Sequence, residues 1–375
     1  MQKFLFFVFF SVAFIACDDS FEAKIADQAA QEQLAKLSDS AKANISDHES
    51  ALSDATEMLR IAQEINSHKH IGEAYNIIGV INRQQDNYVA ALQNFSESTT
   101  SFEMAGDTAG LAKVYNNIGN IYRDISKYDE AILFYQKSLT AKTLLRDKEG
   151  MAITNRNMAF VYQLMEEYQK AKDSYWTALY TWKTLGQEER MAQIYNDLGI
   201  VYELMADQES LTEDEIEQNI ISNLYSNALE LYQKTGNIKG MGWTYNNIAA
   251  SLIERREFED AFSYLEEALR LKGLAEDQEG LTTTYNNIGF LYLTYLRDSE
   301  TAITYFKRAE KDAEGEELLK SYEYLAVALE NHGQYTSAIE YIRKLNELKE
   351  DLTIDAHKQQ IAQTKARTSV EYAGL

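Results

Sequence analysis

Apolar residues recur along the chain at the spacing of amphipathic helices, and the whole pattern repeats about every 40 residues. In one copy, Tyr115, Ile118 and Tyr122 fall on one face of a first helix. A short polar turn follows, and Ala131 and Tyr135 then fall on one face of a second helix. Equivalent first-helix positions are held by Tyr75, Tyr115, Asn155, Tyr195, Tyr245 and Tyr285. The pattern predicts consecutive helix pairs, each of which packs against the next.

A fixed period in this range is typical of stacked repeats, in which each unit contacts only its neighbours. Such an array accommodates 375 residues without one large core. The absence of proline suits a chain that is almost entirely helical. The step from Tyr195 to Tyr245 is 50 residues, which indicates an insertion of ten, at 206–215. The insertion is acidic but lacks the order of a calcium loop, so we expect a solvated helix start there.

Glycine recurs inside the predicted first helices, where it costs up to about 1 kcal/mol relative to alanine. We therefore expect Gly119 and Gly289 to face a neighbouring helix with no room for a side chain. A second group of glycines, Gly106, Gly186 and Gly236, stands where second helices end and suits helix C-caps.

These residues resemble the tetratricopeptide repeat. The family's sequence of a large residue, Leu-Gly, Tyr, Ala, an aromatic residue and Ala falls on Tyr115, Ile118-Gly119, Tyr122, Ala131, Tyr135 and Ser138. The resemblance covers residues 46–350 and implies an all-α, right-handed superhelical solenoid of about six to seven helix-turn-helix repeats. No unit has the proline that ends the family's usual 34-residue repeat, and the longer units resemble those of kinesin light chain and of Rap-type bacterial peptide receptors.

The ends of the array are less regular than its middle. Residues 46–66 read as the second helix of an incomplete repeat, and segment 17–45 as a tether or a degenerate first helix. A degenerate last unit places Ala338 and Ile342 in the buried positions of its second helix. Residues 351–375 read as a polar C-terminal helix or tail.

The N-terminus reads as a secretory signal. Residues 1–16 combine one lysine with a short apolar run, and Cys17 follows directly. Phe14-Ile15-Ala16-Cys17 resembles a bacterial lipobox, which implies cleavage and lipidation at Cys17 and a membrane anchor in the cell envelope. The acidic residues after Cys17 resemble the export signal of Bacteroidota-like surface lipoproteins, so the expected location is the outer membrane, facing the periplasm or the surface. An ordinary signal peptide or an uncleaved anchor is the alternative.

Composition argues against several functional classes. A formal charge of −23 and a pI near 4.7 disfavour nucleic acid, whose phosphates require a basic surface. The sequence contains no phosphate-binding loop, nucleophile elbow or metal-binding helix motif. His68 and His70 read as an exposed pair in a turn between units. We therefore predict no enzyme activity, no cofactor and no metal.

Amide side chains that follow the repeated Tyr position are the candidate binding residues. In the family resemblance, the second residue after Tyr faces a concave groove, where an amide binds the backbone of an extended peptide. These residues are Asn117, Asn157, Asp197, Asn247 and Asn287, and their neighbours at the groove edge are Asn76, Asn116, Asn196, Asn246 and Asn286. Alternatively, they bond between repeats and only stabilise the stack. Arg156 interrupts the second series and suits an acidic ligand group.

The sequence therefore predicts a non-enzymatic scaffold that binds a protein or peptide partner and is anchored in the envelope by lipid. The alternative is the sensor portion of a signalling regulator of this repeat type, with its transmembrane and output parts absent.

Overall fold

A computed structural model describes residues 28–207 and 223–352. The predictions for the signal peptide, Cys17, most of the insertion and the tail after residue 352 lie outside these residues. The chain divides into two compact units, with the boundary between Asp147 and Lys148.

The first unit contains short-linked helices of nearly equal length. They are α1 (28–43), α2 (His48–Glu64), α3 (His68–Gln84), α4 (Tyr88–Ala105), α5 (Thr108–Asp124) and α6 (Tyr128–Leu144).

The second unit continues the same alternation of first and second helices. Its described helices are α7 (Lys148–Leu164), α8 (Tyr168–Leu185), α9 (Glu188–Asp207), α10 (Ser226–Thr235), α11 (Ile238–Glu254), α12 (Phe258–Leu274), α13 (Gln278–Thr294), α14 (Ser299–Asp312), α15 (Gly315–Asn331) and α16 (335–352).

From α3 to α14, each odd-numbered helix pairs with the even-numbered helix that follows it. Odd-numbered helices of successive repeats also touch one another directly, as α3 touches α5 and α11 touches α13. The first helices of a unit therefore form one layer, whose side chains can bond from one repeat to the next.

The glycines inside the first helices lie against aromatic rings, as the sequence predicts. A Cβ atom at Gly119 would lie 2.7 Å from the ring of Tyr135, which is fully buried in α6. A Cβ atom at Gly289 would lie 2.6 Å from the ring of Phe306 in α14. The missing side chain lets each ring fill the space between the two helices of its repeat.

The turns that join the helices use left-handed backbone at recurring positions. After α5, Ser126 has a φ of 58° and Lys127 donates its backbone N–H to the carbonyl of Tyr122 over 2.7 Å. This bond closes the end of the helix in a compact cap. Gly106 and Gly186 take the same role after α4 and α8, with φ of 64° and 65°, which confirms the predicted C-caps.

The last repeat corrects one prediction. Ile342 is 45% exposed, whereas Tyr341 is 9% exposed and occupies the interior position of α16. The Tyr341 hydroxyl donates to Glu310 Oε2 over 2.8 Å, and its ring packs 5.7 Å from that of Tyr322. The helix is turned by about one residue, because the ring fills the interior while its hydroxyl finds a partner on the preceding repeat.

The predicted fold class, an all-α solenoid of tetratricopeptide-type helix pairs, is confirmed by this arrangement. Within residues 28–207 and 223–352, no helix combines the length and apolar character that crossing a bilayer requires.

Candidate ligand-binding face

Most of the predicted binding residues lie near the middle of the first helices, on the side that faces the first helix of a neighbouring repeat in the same unit. Asn117 of α5 donates its Nδ2 group to Oδ1 of Asn76 on α3 over 2.9 Å. Asn247 of α11 donates in the same way to Asn196 on α9 over 3.1 Å. Asn–Asn bonds of this kind, here called rungs, therefore connect successive repeats.

A third rung joins Asn287 to Asn246, with 3.3 Å between Nδ2 and Oδ1. Here the acceptor is buried, since Asn246 is only 3% exposed and Thr284 Oγ lies 3.1 Å from the same oxygen. Asn286 is 1% exposed and accepts from the Ser321 hydroxyl over 3.1 Å. Asn246 and Asn286 therefore serve the contact between repeats and offer almost no surface to a ligand.

One rung is charged. Arg156 Nε of α7 lies 2.9 Å from Asp197 Oδ2 of α9, at the position held by two asparagines elsewhere. Burial raises the pKa of the Asp197 carboxyl, although the charge of Arg156 opposes that effect. Asn116 and Asn157, the two remaining predicted residues, are half-buried on α5 and α7.

A second bridge between α3 and α5 was not found from the sequence. Arg83 and Arg123 both hold Asp124, with Arg83 Nη2 2.6 Å from Oδ2 and Arg123 Nη2 2.8 Å from Oδ1. Arg83 and Asp124 stand seven residues after Asn76 and Asn117, which is about two helical turns along the same face. That spacing is the feature of the sequence from which this bridge could have been predicted.

A buried lysine lies beneath the third rung and was also missed. Lys272 is 0% exposed, and its Nζ donates to Gly280 O and Thr284 Oγ, each over 3.0 Å. Burial lowers the pKa of Lys272 to about 7. Its burial could have been predicted from its place in the repeat, because the equivalent positions hold the large aromatic residues Phe102, Trp182 and Tyr232. Lys142 also occupies this position, and burial lowers its pKa to about 8.

The histidine pair lies in the first turn of α3 rather than in a turn between units. Ser67 Oγ is 2.7 Å from His70 Nδ1, and both His68 and His70 are half-buried. Across residues 28–207 and 223–352, no group of three His, Cys, Asp or Glu side chains is arranged to hold a metal ion.

Solved structures with similar folds include a Rap protein complexed with competence and sporulation factor (15% identity, 86% of this chain and 99% of that chain, TM-score 0.56). Aspartyl phosphate phosphatase F from Bacillus subtilis is also similar (13% identity, 77% and 74% coverage, TM-score 0.59). The apo form of the quorum sensor NprR from B. thuringiensis is a third (15% identity, 81% and 83% coverage, TM-score 0.58). At these identities the likeness concerns the fold alone.

No curated protein matches the sequence significantly. The family model described as tetratricopeptide repeat matches residues 71–143, in the first unit, and residues 240–315, in the second. The chain therefore carries tetratricopeptide repeats in both of its compact units.

Proposed function

We propose that this chain is a non-enzymatic binding module whose first helices hold an extended peptide or a segment of a protein partner. The similarly folded Rap protein was solved with competence and sporulation factor bound, and NprR is described as a quorum sensor. Both support a binding role for repeats of this fold.

The observation that carries the proposal is that each of two rungs keeps a side-chain donor and a side-chain acceptor that the rung bond does not use. In the Asn76–Asn117 rung, one amide N–H and one oxygen are used. The Nδ2 group of Asn76 and the Oδ1 atom of Asn117 make no other hydrogen bond within the described residues. A backbone needs one donor and one acceptor per peptide unit, which is what such a rung presents. The Asn196–Asn247 rung offers the same pair.

The test separates the ligand role of a rung from its role between repeats. Asn76→Asp and Asn196→Asp keep the oxygen that accepts the rung bond but remove the free Nδ2 donor. We expect the double variant to lose its partner in a pulldown from envelope extract, while its circular dichroism and melting temperature stay close to wild type.

The control for each single substitution is Asn94→Asp, which adds one negative charge on α4, where the amide donates to its own helix at Ala90 O over 2.7 Å. This variant should keep the partner. If the double variant also retains the partner, the binding site lies elsewhere on the chain.

The proposal includes a lipid anchor at Cys17, in the cell envelope and on the outer membrane. It rests on the lipobox-like segment from Phe14 to Cys17. Several acyl chains on one residue make anchoring stable, because a single chain binds a bilayer only marginally. Cys17→Ser should move the protein from the membrane fraction to the soluble fraction and abolish palmitate labelling. Membrane retention of this variant, together with an unlabelled wild type, contradicts the anchor.

The second candidate function is the sensor portion of a signalling regulator, and the likeness to NprR favours it. A stable envelope complex that co-purifies with the chain supports the scaffold. A ligand that changes the chain's affinity for a separate output protein supports the sensor.

A further inference from the structure

The side chain of Lys272 occupies a channel that two glycines make possible. A Cβ atom at Gly242 on α11 would lie 2.9 Å from Lys272 Cγ, and one at Gly280 on α13 would lie 2.9 Å from Lys272 Cδ. A side chain at either position would collide with the lysine, and one at Gly280 would also collide with the Asp277 carboxylate, which lies nearer still. The channel leads the amine from α12 into the space between two neighbouring first helices.

The amine ends among polar groups rather than in an ion pair. Its Nζ lies 3.0 Å from Gly280 O and from Thr284 Oγ, and 4.1 Å from the centre of the Trp243 ring. An ammonium ion suits this setting, because it donates to two oxygens and is attracted to an aromatic face.

The charged groups that act on Lys272 come from one turn and from three neighbouring helices. Asp277 in the turn, Glu317 on α15 and Glu279 on α13 favour the ammonium form, and Lys239 on α11 opposes it. Asp277 is itself 5% exposed, and its Oδ1 is 3.0 Å from Lys239 Nζ. Burial outweighs these charges and lowers the pKa of Lys272 to about 7, so both protonation states are populated near neutral pH.

A hydrogen-bond chain connects this amine to the third rung. Thr284 Oγ is 3.1 Å from Asn246 Oδ1, which also accepts from Asn287 Nδ2. An ammonium ion can only donate, so the Thr284 hydroxyl must direct its own proton to Asn246 Oδ1 or to Gly280 O. A neutral amine has a lone pair, and the Thr284 hydroxyl can then donate to Nζ instead. Deprotonation of Lys272 therefore adds a third acceptor that competes with Asn246 Oδ1 and Gly280 O for the Thr284 hydroxyl.

We propose that Lys272 is a proton-sensitive regulator of the binding face, which acts through Thr284 on the Asn246–Asn287 rung. The effect of this relay on ligand binding rests on the proposed function. The relay itself is a property of the unliganded chain. Deprotonation weakens the hold on Asn246 and gives Asn287 greater freedom, so the rung is firmest on the acidic side of neutrality.

The test follows the side-chain amide resonances of Asn246 and Asn287 by NMR between pH 5.5 and 8.5, with no ligand present. In wild type we expect both to titrate with a midpoint near 7, the value expected for Lys272. Lys272→Met keeps the aliphatic stem and removes the proton, and Thr284→Val keeps the lysine and removes the relay. Both variants should lose this titration.

The matched control is Lys142→Met, which removes the equivalent lysine from the first unit and should leave the Asn287 titration unchanged. Melting curves at one pH verify that each variant is folded. A pH-independent Asn287 signal in wild type, or a titration that persists in Lys272→Met, overturns the relay.

Loss of the Asn287 titration in Lys142→Met as well would show a global effect and would equally overturn it. The proposed function is judged separately by the pulldown with Asn76→Asp and Asn196→Asp. The relay can therefore fail while binding stands, and the reverse also holds.

Discussion

Asn117 donates its side-chain amide to the side-chain oxygen of Asn76, 41 positions earlier, over 2.9 Å. The corresponding bond from Asn247 to Asn196 spans 51 positions, because ten additional residues lie between these repeats. The insertion leaves the register of the first helices unchanged. The two partners of a rung are therefore neighbours in the fold although a whole repeat separates them in the sequence.

The first prediction concerns the energy of this contact. Asn117→Ala should lower the free energy of unfolding by about 0.5–1.5 kcal/mol, the usual net value of one hydrogen bond. A double-mutant cycle with Asn76→Ala, measured by urea denaturation, isolates the pair. A coupling energy near zero would show that the bond adds nothing to the stability of the stack.

The second prediction concerns helix packing. Gly119→Leu should destabilise the first unit by about 1–3 kcal/mol or more, because a side chain there collides with the buried ring of Tyr135. Gly273→Ala is the control, since a Cβ atom at that helical glycine meets nothing within 4 Å. It should leave the melting temperature unchanged or raise it, because alanine is the better helix former. Equal melting temperatures for Gly119→Leu and wild type would refute the packing role.

The third prediction concerns pH. The pKa of Lys272 is about 7 in the folded chain and about 10.5 when unfolded, so the unfolded state binds more protons between these values. This group therefore makes the folded state more stable as pH rises from 7, by up to about 1.4 kcal/mol per pH unit. Denaturation at pH 7, 8 and 9 should show a stability gain in wild type that is smaller in Lys272→Met.

That pH range avoids the buried tyrosines. Burial raises the pKa of Tyr135 to about 12 in the folded chain, whereas its ordinary value is 10.0. As pH rises, Tyr135 therefore ionises in the unfolded chain before it does so in the folded one, and it lowers the stability only above about pH 10. At pH 7 the Lys272→Met variant should be at least as stable as wild type, because it buries no charge. A slope that is identical in the two proteins contradicts the assigned pKa.

The fourth prediction concerns the bridge at Asp124. Its side chain is 19% exposed and lies between two guanidinium groups, so Asp124→Ala leaves two like charges close together. We expect a loss of about 1–3 kcal/mol in unfolding free energy, reduced at high salt. Glu57→Ala is the comparison, since its pair with Arg60 is 40% and 54% exposed and pairs in water add little to stability. Equal losses in the two variants would contradict a special role for Asp124.

The sequence by itself determined the repeat, its period and the inner packing of each helix pair. Gly119 and Tyr135 lie 16 positions apart within one unit, and each belongs to a pattern that recurs in several copies. Helical periodicity and steric size decide such contacts, and both can be read along the chain. The recurrence of asparagines directly after the Tyr position could be read from the sequence for the same reason.

Only the tertiary structure decided what these asparagines contact, because a bond between repeats depends on how closely two first helices approach. Asn246 is buried whereas Asn76 is half-exposed, although both follow the same Tyr position. The exchange of Tyr341 for Ile342 depends on the rotation of one helix by about a residue, which apolar spacing does not fix. The low pKa of Lys272 depends on its burial. That burial is possible because two glycines on other helices leave room for the lysine side chain.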